Sequence, residues 1–132
     1  MFDAADRFGF PIVDLPLSAV LSPDATVKFL VGQLVLSGRL RPENAERVIC
    51  QVLHRESLGS TGVGGGFALP HSKSDVVGEV LGIIGKSAVP VAWPGTVDEQ
   101  PVQMVCLLVT PVMEPRASMR ALEAVARQIR GK

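Results

Sequence analysis

Residues 54–75 read HRESLGSTGVGGGFALPHSKSD and divide the chain into two kinds of sequence. Before this stretch, apolar residues recur at helical spacing; after it, they come in short unbroken runs. Five glycines fall within the eight residues 59–66, a density that predicts a loop with no regular structure. Phe67-Ala68-Leu69 then reads as a short apolar strand leading into Pro70-His71.

Working upstream, Pro42 and Glu43 open a helix whose apolar stripe is Ala45, Val48, Ile49, Val52 and Leu53. Its solvent side carries Glu43, Glu46, Arg47 and Arg55, and Gly59 ends it. An earlier helix starts at Ser22-Pro23-Asp24, where serine can cap, proline fits the first turn and aspartate suits the positive helix end. Val27, Leu30, Val31 and Leu34 form its buried stripe, and Gly38 stops it. Residues 1–21 mix prolines with isolated apolar residues and read as an irregular arm, most clearly over 1–13.

Downstream, residues 80–84 and 102–109 read as apolar strands, the second continuous enough to be buried on both faces. Pro90, Pro94 and Gly95 mark the loop between them. A last helix runs from about Pro115, with Met119, Leu122, Val125 or Ala126, and Ile129 facing the core. The expected order is helix, helix, three strands, helix: a single layered α/β domain spanning residues 1–132.

The glycine-rich loop and His71 carry the chemistry. Successive N–H groups in such a loop can form a nest for an anion, and the hydroxyls of Ser60 and Thr61 add donors. Arg55 lies just upstream and Lys73 just downstream. A neutral imidazole is a competent nucleophile near physiological pH, and fixed donors and cations would stabilise a phosphoryl group in transfer. Read without the functional interpretation, the same residues are a turn followed by a surface histidine.

Composition narrows the alternatives. The chain has 132 residues, 47% of them hydrophobic, with 13 basic and 13 acidic side chains. That balance lacks the basic excess of a nucleic-acid binder or of a protein drawn to anionic lipid. No apolar stretch approaches the roughly 20 residues needed to span a bilayer, and the acidic N-terminus is no signal peptide. Cys50 and Cys106 read as small buried side chains of a reduced, cytoplasmic protein. No metal-ligand spacing occurs. Gly85-Lys86-Ser87 lacks the upstream glycine of a P-loop, and Phe67 breaks a dinucleotide fingerprint, so no cofactor is expected. Trp93 reads as a loop or partly buried aromatic, Met104 and Met119 as core packing, and residues 114–120 as a solvated helix start.

Three segments at fixed spacing carry a resemblance: Arg55-Glu56, Gly59-Ser60-Thr61-Gly62-Val63-Gly64, and Ala68-Leu69-Pro70-His71. Together they resemble the enzyme IIA domains of the bacterial sugar phosphotransferase system, fructose/mannitol class, with the nitrogen-regulatory branch nearest. The stretch 97–102, the strand after it and Pro111 are similar as well. Over residues 14–130 the resemblance implies a sandwich with a mixed β-sheet flanked by helices. It implies that His71 accepts a phosphoryl group from the carrier HPr or a paralogue, with Arg55, Ser60, Thr61, Gly62 and Gly64 lining the site. Sugar-specific members pass the group to an enzyme IIB, whereas regulatory members bind target proteins. The Gly-Ser-Thr-Gly loop and the lack of a fused membrane domain lean toward regulation.

The chain departs from the family pattern in three places. Ser118 stands where a second histidine is usual near the active one, and it cannot carry positive charge. A protein-binding module with weak or no phosphotransfer is therefore the rival expectation. His54, adjacent to Arg55 on its helix, projects about 100° away from it and is a poor substitute. Ser72 replaces the glycine usual after the histidine. The sequence stops at Lys132, short of the last strand and helix of the family; a shortened chain or a homodimer would account for that.

Overall fold

A computed structural model describes residues 10–130, with side-chain surroundings through Arg127. Residues 1–9 of the expected arm and the core-facing position expected for Ile129 lie outside what is described. Six strands, β1 (Ile12–Asp14), β2 (Gly62–Gly64), β3 (Phe67–Ala68), β4 (His71–Ser74), β5 (Leu81–Val91) and β6 (Val102–Pro111), form one mixed sheet. The helices are α1 (Pro23–Leu36), α2 (Ala45–Ser57) and α3 (Pro115–Arg130). The strand order is β1-β5-β6-β3-β2, and β4 also pairs with β6. Only β5–β6 and β2–β3 are antiparallel; β1–β5, β3–β6 and β4–β6 run parallel.

The pleat sends alternate residues of the central strands to opposite faces. Val105, Leu107 and Val109 of β6, with Leu81 and Ile83 of β5, join Val27, Leu30, Val31 and Leu34 of α1 and Val48 and Val52 of α2. Cys106 and Leu108, with Ile84, face the other way and pack on Ala121 and Val125 of α3, with Phe10 and Leu69. The sheet is therefore sandwiched between α1 and α2 on one face and α3 on the other. Burial on both faces explains why the β6 sequence is almost continuously apolar.

The helices begin as their sequences dictate. Ser22 Oγ accepts the Ala25 N–H at 3.0 Å, with Pro23 in the first turn. Gly38, just past α1, takes the left-handed conformation at φ +78°. A 3-10 turn over Pro42–Asn44 precedes α2.

Several expectations require correction. Residues 12–14 are not an irregular arm: Ile12, Val13 and Asp14 pair in register with Ile84, Gly85 and Lys86. The glycine-rich loop contains regular structure, because Gly62 pairs with Ala68 and Gly64 with Phe67 in a small hairpin. Its turn is made by Gly64, Gly65 and Gly66, all at positive φ, which only glycine adopts at no steric cost. Residues 71–74, with no apolar alternation, form strand β4, and β5 runs to Val91 with Pro90 inside an irregular stretch between Lys86 and Val91. Cys50 is exposed, whereas Cys106 is buried. Met119 is 61% exposed and packs in neither core; Ser118 and Ala121 supply the inward positions of α3 instead. Trp93 is buried within the α1/α2-side core.

Candidate functional site

His71 opens β4, opposite Leu108 of β6. Parallel partners share a face of the sheet, so its ring lies on the α3 side. There it lines a cleft of about 340 Å³ with Lys73, Leu108 and Thr110 from the sheet and Pro115, Ser118, Met119 and Leu122 from α3. The ring is half-buried. Its Nδ1 lies 2.8 Å from the carbonyl oxygen of Leu69. A carbonyl can only accept, so Nδ1 carries the proton and Nε2 keeps a free lone pair. Burial lowers the affinity of the ring for a second proton, and the positive charge of Arg55 lowers it further. The Leu69 bond and the negative charge of Glu56 oppose this, but the net direction is downward. The ring is thus held neutral, in one tautomer, with Nε2 as its nucleophilic atom.

Arg55 lies in the last turn of α2, where its guanidinium donates to the Gly59 carbonyl at 2.9 Å and acts on His71 through its charge. The hairpin residues named from sequence are placed beside this arrangement, but they do not line the cleft. Their amides are largely engaged within the protein. Thr61 N–H donates to Glu56 Oε2 at 2.9 Å, Gly62 N–H to Ser60 Oγ at 3.1 Å and Gly65 N–H to Asp98 Oδ2 at 3.0 Å. Gly62 is required by contact: a β-carbon there would lie 3.0 Å from Thr96 Cα and closer still to its methyl group.

Ser118, which replaces the expected histidine, does share the cleft with His71. It is only 3% exposed, and its hydroxyl donates to the Pro111 carbonyl at 3.0 Å. It therefore ties the start of α3 to the end of β6. His54 is exposed on α2, away from the cleft lining.

The residue missed by sequence reasoning is Glu56. Its carboxylate accepts from the Thr61 N–H, the Thr61 hydroxyl and the Trp93 indole N–H, the last at 3.1 Å. The Arg55-Glu56 pair was visible in the sequence; its partner 37 positions away was not. Among the described residues, no group of three or more His, Cys, Asp or Glu is placed to hold a metal ion, and no helix is long and apolar enough to cross a membrane.

Comparison with known proteins agrees with this architecture. The family described as phosphoenolpyruvate-dependent sugar phosphotransferase system, EIIA 2, matches residues 18–132. A nitrogen regulatory protein of Bradyrhizobium diazoefficiens is 32% identical over 124 residues, covering 91% of this chain and 80% of that one. The nitrogen regulatory protein of Escherichia coli is 32% identical over 83 residues, covering 61% of this chain, which spans 50% of that protein's length. The crystal structure of the nitrogen regulatory protein IIA-Ntr from Neisseria meningitidis superposes with a TM-score of 0.70 at 26% identity, covering 89% of this chain and 73% of that one.

Proposed function

Because the chain belongs to the EIIA 2 family of the phosphoenolpyruvate-dependent sugar phosphotransferase system, we propose that His71 is its phosphoryl acceptor and that its phosphorylation state serves mainly regulation. One observation carries this reading: the Leu69 carbonyl holds Nδ1–H of His71 and leaves Nε2 as the free nitrogen of a ring that lines the cleft. The similarity to nitrogen regulatory proteins supports the regulatory role.

The donor is a phosphohistidine on an HPr-like carrier in the cytoplasm. The Nε2 lone pair attacks phosphorus, an N–P bond forms, and the donor's N–P bond breaks with its electron pair returning to the donor imidazole. The His71 ring keeps its Nδ1 proton and gains positive character, which the Leu69 carbonyl and Glu56 offset. Arg55 supplies positive charge toward the phosphoryl oxygens, and Thr61 supports the site through the Leu69 N–H that its carbonyl accepts. Met119, 61% exposed at the edge of the cleft, offers adaptable apolar contact to a partner.

Incubation with enzyme I, HPr and phosphoenolpyruvate tests this. A mass gain of one phosphate that disappears in His71→Ala supports it. Ser118 favours a second reading, a protein-binding module with little phosphotransfer, because its hydroxyl is already donated to Pro111 and brings no positive charge. No mass gain, under conditions that label a control IIA protein, selects that reading. Transfer onward to an added IIB domain would instead identify a sugar-specific role.

A further inference from the structure

We propose that Glu56 is a positioning residue for the acceptor imidazole, acting through Thr61 and Leu69, with Trp93 as its second anchor. The inference rests on His71 being the working group. Glu56 sits in the last turn of α2, and its carboxylate gathers three donors: the backbone N–H and hydroxyl of Thr61 and the indole N–H of Trp93. Thr61 is 4% exposed and Trp93 6%, so neither donor group has water as a ready substitute.

The anchoring then passes to the histidine in two hydrogen bonds. The Thr61 carbonyl accepts the Leu69 N–H at 2.9 Å, and the Leu69 carbonyl accepts Nδ1–H of His71 at 2.8 Å. Fixing Thr61 therefore fixes the segment whose carbonyl selects the tautomer. Hydrogen bonds from a second layer of residues orient imidazoles in this way at metal sites, and the same physics holds for a phosphoryl acceptor.

The carboxylate also acts by charge. Around the ring, α2 contributes Arg55 and Glu56, β4 contributes Lys73, and α3 contributes Glu123 at the cleft. Glu56 and Arg55 pull His71 in opposite directions. Glu56 is thus placed to offset positive character that the ring gains when Nε2 is phosphorylated.

Two variants separate geometry from charge. Glu56→Gln keeps an oxygen for Thr61 N–H and the indole and removes the charge; Glu56→Ala removes both. The chain has one tryptophan, so its indole N–H gives a single resonance that reports whether the anchor holds. In Glu56→Gln, the His71 titration measured by NMR is expected to move to lower pH while the Nδ1–H tautomer persists. In Glu56→Ala, the indole resonance shifts, the tautomer preference weakens, and the phosphorylation rate at saturating phospho-HPr falls about ten- to a hundredfold. If both variants fold and leave the tautomer, the titration and the rate of His71 at wild-type values, the proposal is overturned. If the titration and tautomer respond but wild-type protein takes no phosphate, the positioning link stands and the phosphocarrier reading fails.

Discussion

The carbonyl of Leu69 and the ring of His71, two positions apart, meet at 2.8 Å through Nδ1. Pro70 between them fixes its own φ, so a short span of chain sets which imidazole nitrogen is free. This is local geometry with a chemical consequence: one nitrogen is occupied as a donor and the other left as a nucleophile.

The reactivity of His71 should depend on pH in a defined direction. Burial and Arg55 place its folded pKa below the ordinary histidine value. Phosphoryl acceptance is therefore expected to be complete at neutral pH and to fall on acidification, with its midpoint below about 6.5. The stabilising effect of the neutral ring has the same sign. It is fully present above the unfolded pKa and is lost as pH falls through the folded one. A titration of the His71 ring carbons or nitrogens by NMR, alongside the pH–rate profile, checks both.

Gly62→Ala should destabilise the protein. The added methyl meets Thr96, including its backbone Cα, and the backbone cannot rotate aside as a side-chain tip can. The overpacking cost is expected at about 1–3 kcal/mol, read as a lower midpoint in urea denaturation. Gly59→Ala, with open space around its β-carbon, is the matched control and should change stability much less.

Ser118→Ala tests what the serine does in place of a histidine. Its hydroxyl joins Pro111 at 3.0 Å in a buried setting. Losing that bond is expected to cost about 1 kcal/mol and to leave the phosphorylation rate of His71 within about twofold, since 1.4 kcal/mol of transition-state stabilisation would be needed for a tenfold loss. A large rate loss with unchanged stability would mean that Ser118 contacts the transferring group.

The bidentate pair of Arg47 with Asp75, at 2.8 and 2.7 Å, ties α2 to the residue following β4. Arg47, with help from Gln51, lowers the Asp75 pKa to about 2. The stability this supplies is present above the ordinary aspartate value of 3.8 and fades as pH drops through about 2. The pair is exposed, so salt should screen it. Arg47→Ala is expected to lower the melting temperature slightly at neutral pH and low salt. That difference should vanish at high salt or below pH 2.

The sandwich was legible because its largest elements obey simple periodicities. Ser22 and Pro23 announce α1, its stripe ends at Leu34, and the unbroken apolar run of β6 requires two covered faces. The misses share a physical cause. Ile12–Asp14 and His71–Ser74 are short, and their sequences show no apolar alternation; each becomes a strand because a long neighbour, β5 or β6, offers an edge to pair with. The Gly62–Gly64 strand exists because Phe67 and Ala68 fold back on it, not because glycine favours strands. Helical spacing alone points Met119 inward, but the buried Ser118 and Ala121 set the rotation of α3 and turn it out. At the site, His71 and Arg55 could be named from the sequence. Glu56 could be quoted but not assigned a role, because its meaning depends on Trp93 and Thr61 converging in space.

The most direct test is long-range ¹⁵N–³¹P NMR on protein phosphorylated by enzyme I, HPr and phosphoenolpyruvate. The account predicts that phosphorus couples to Nε2 of His71, with Nδ1 still protonated toward Leu69. Phosphate on Nδ1, on another residue, or on no residue at all would contradict it.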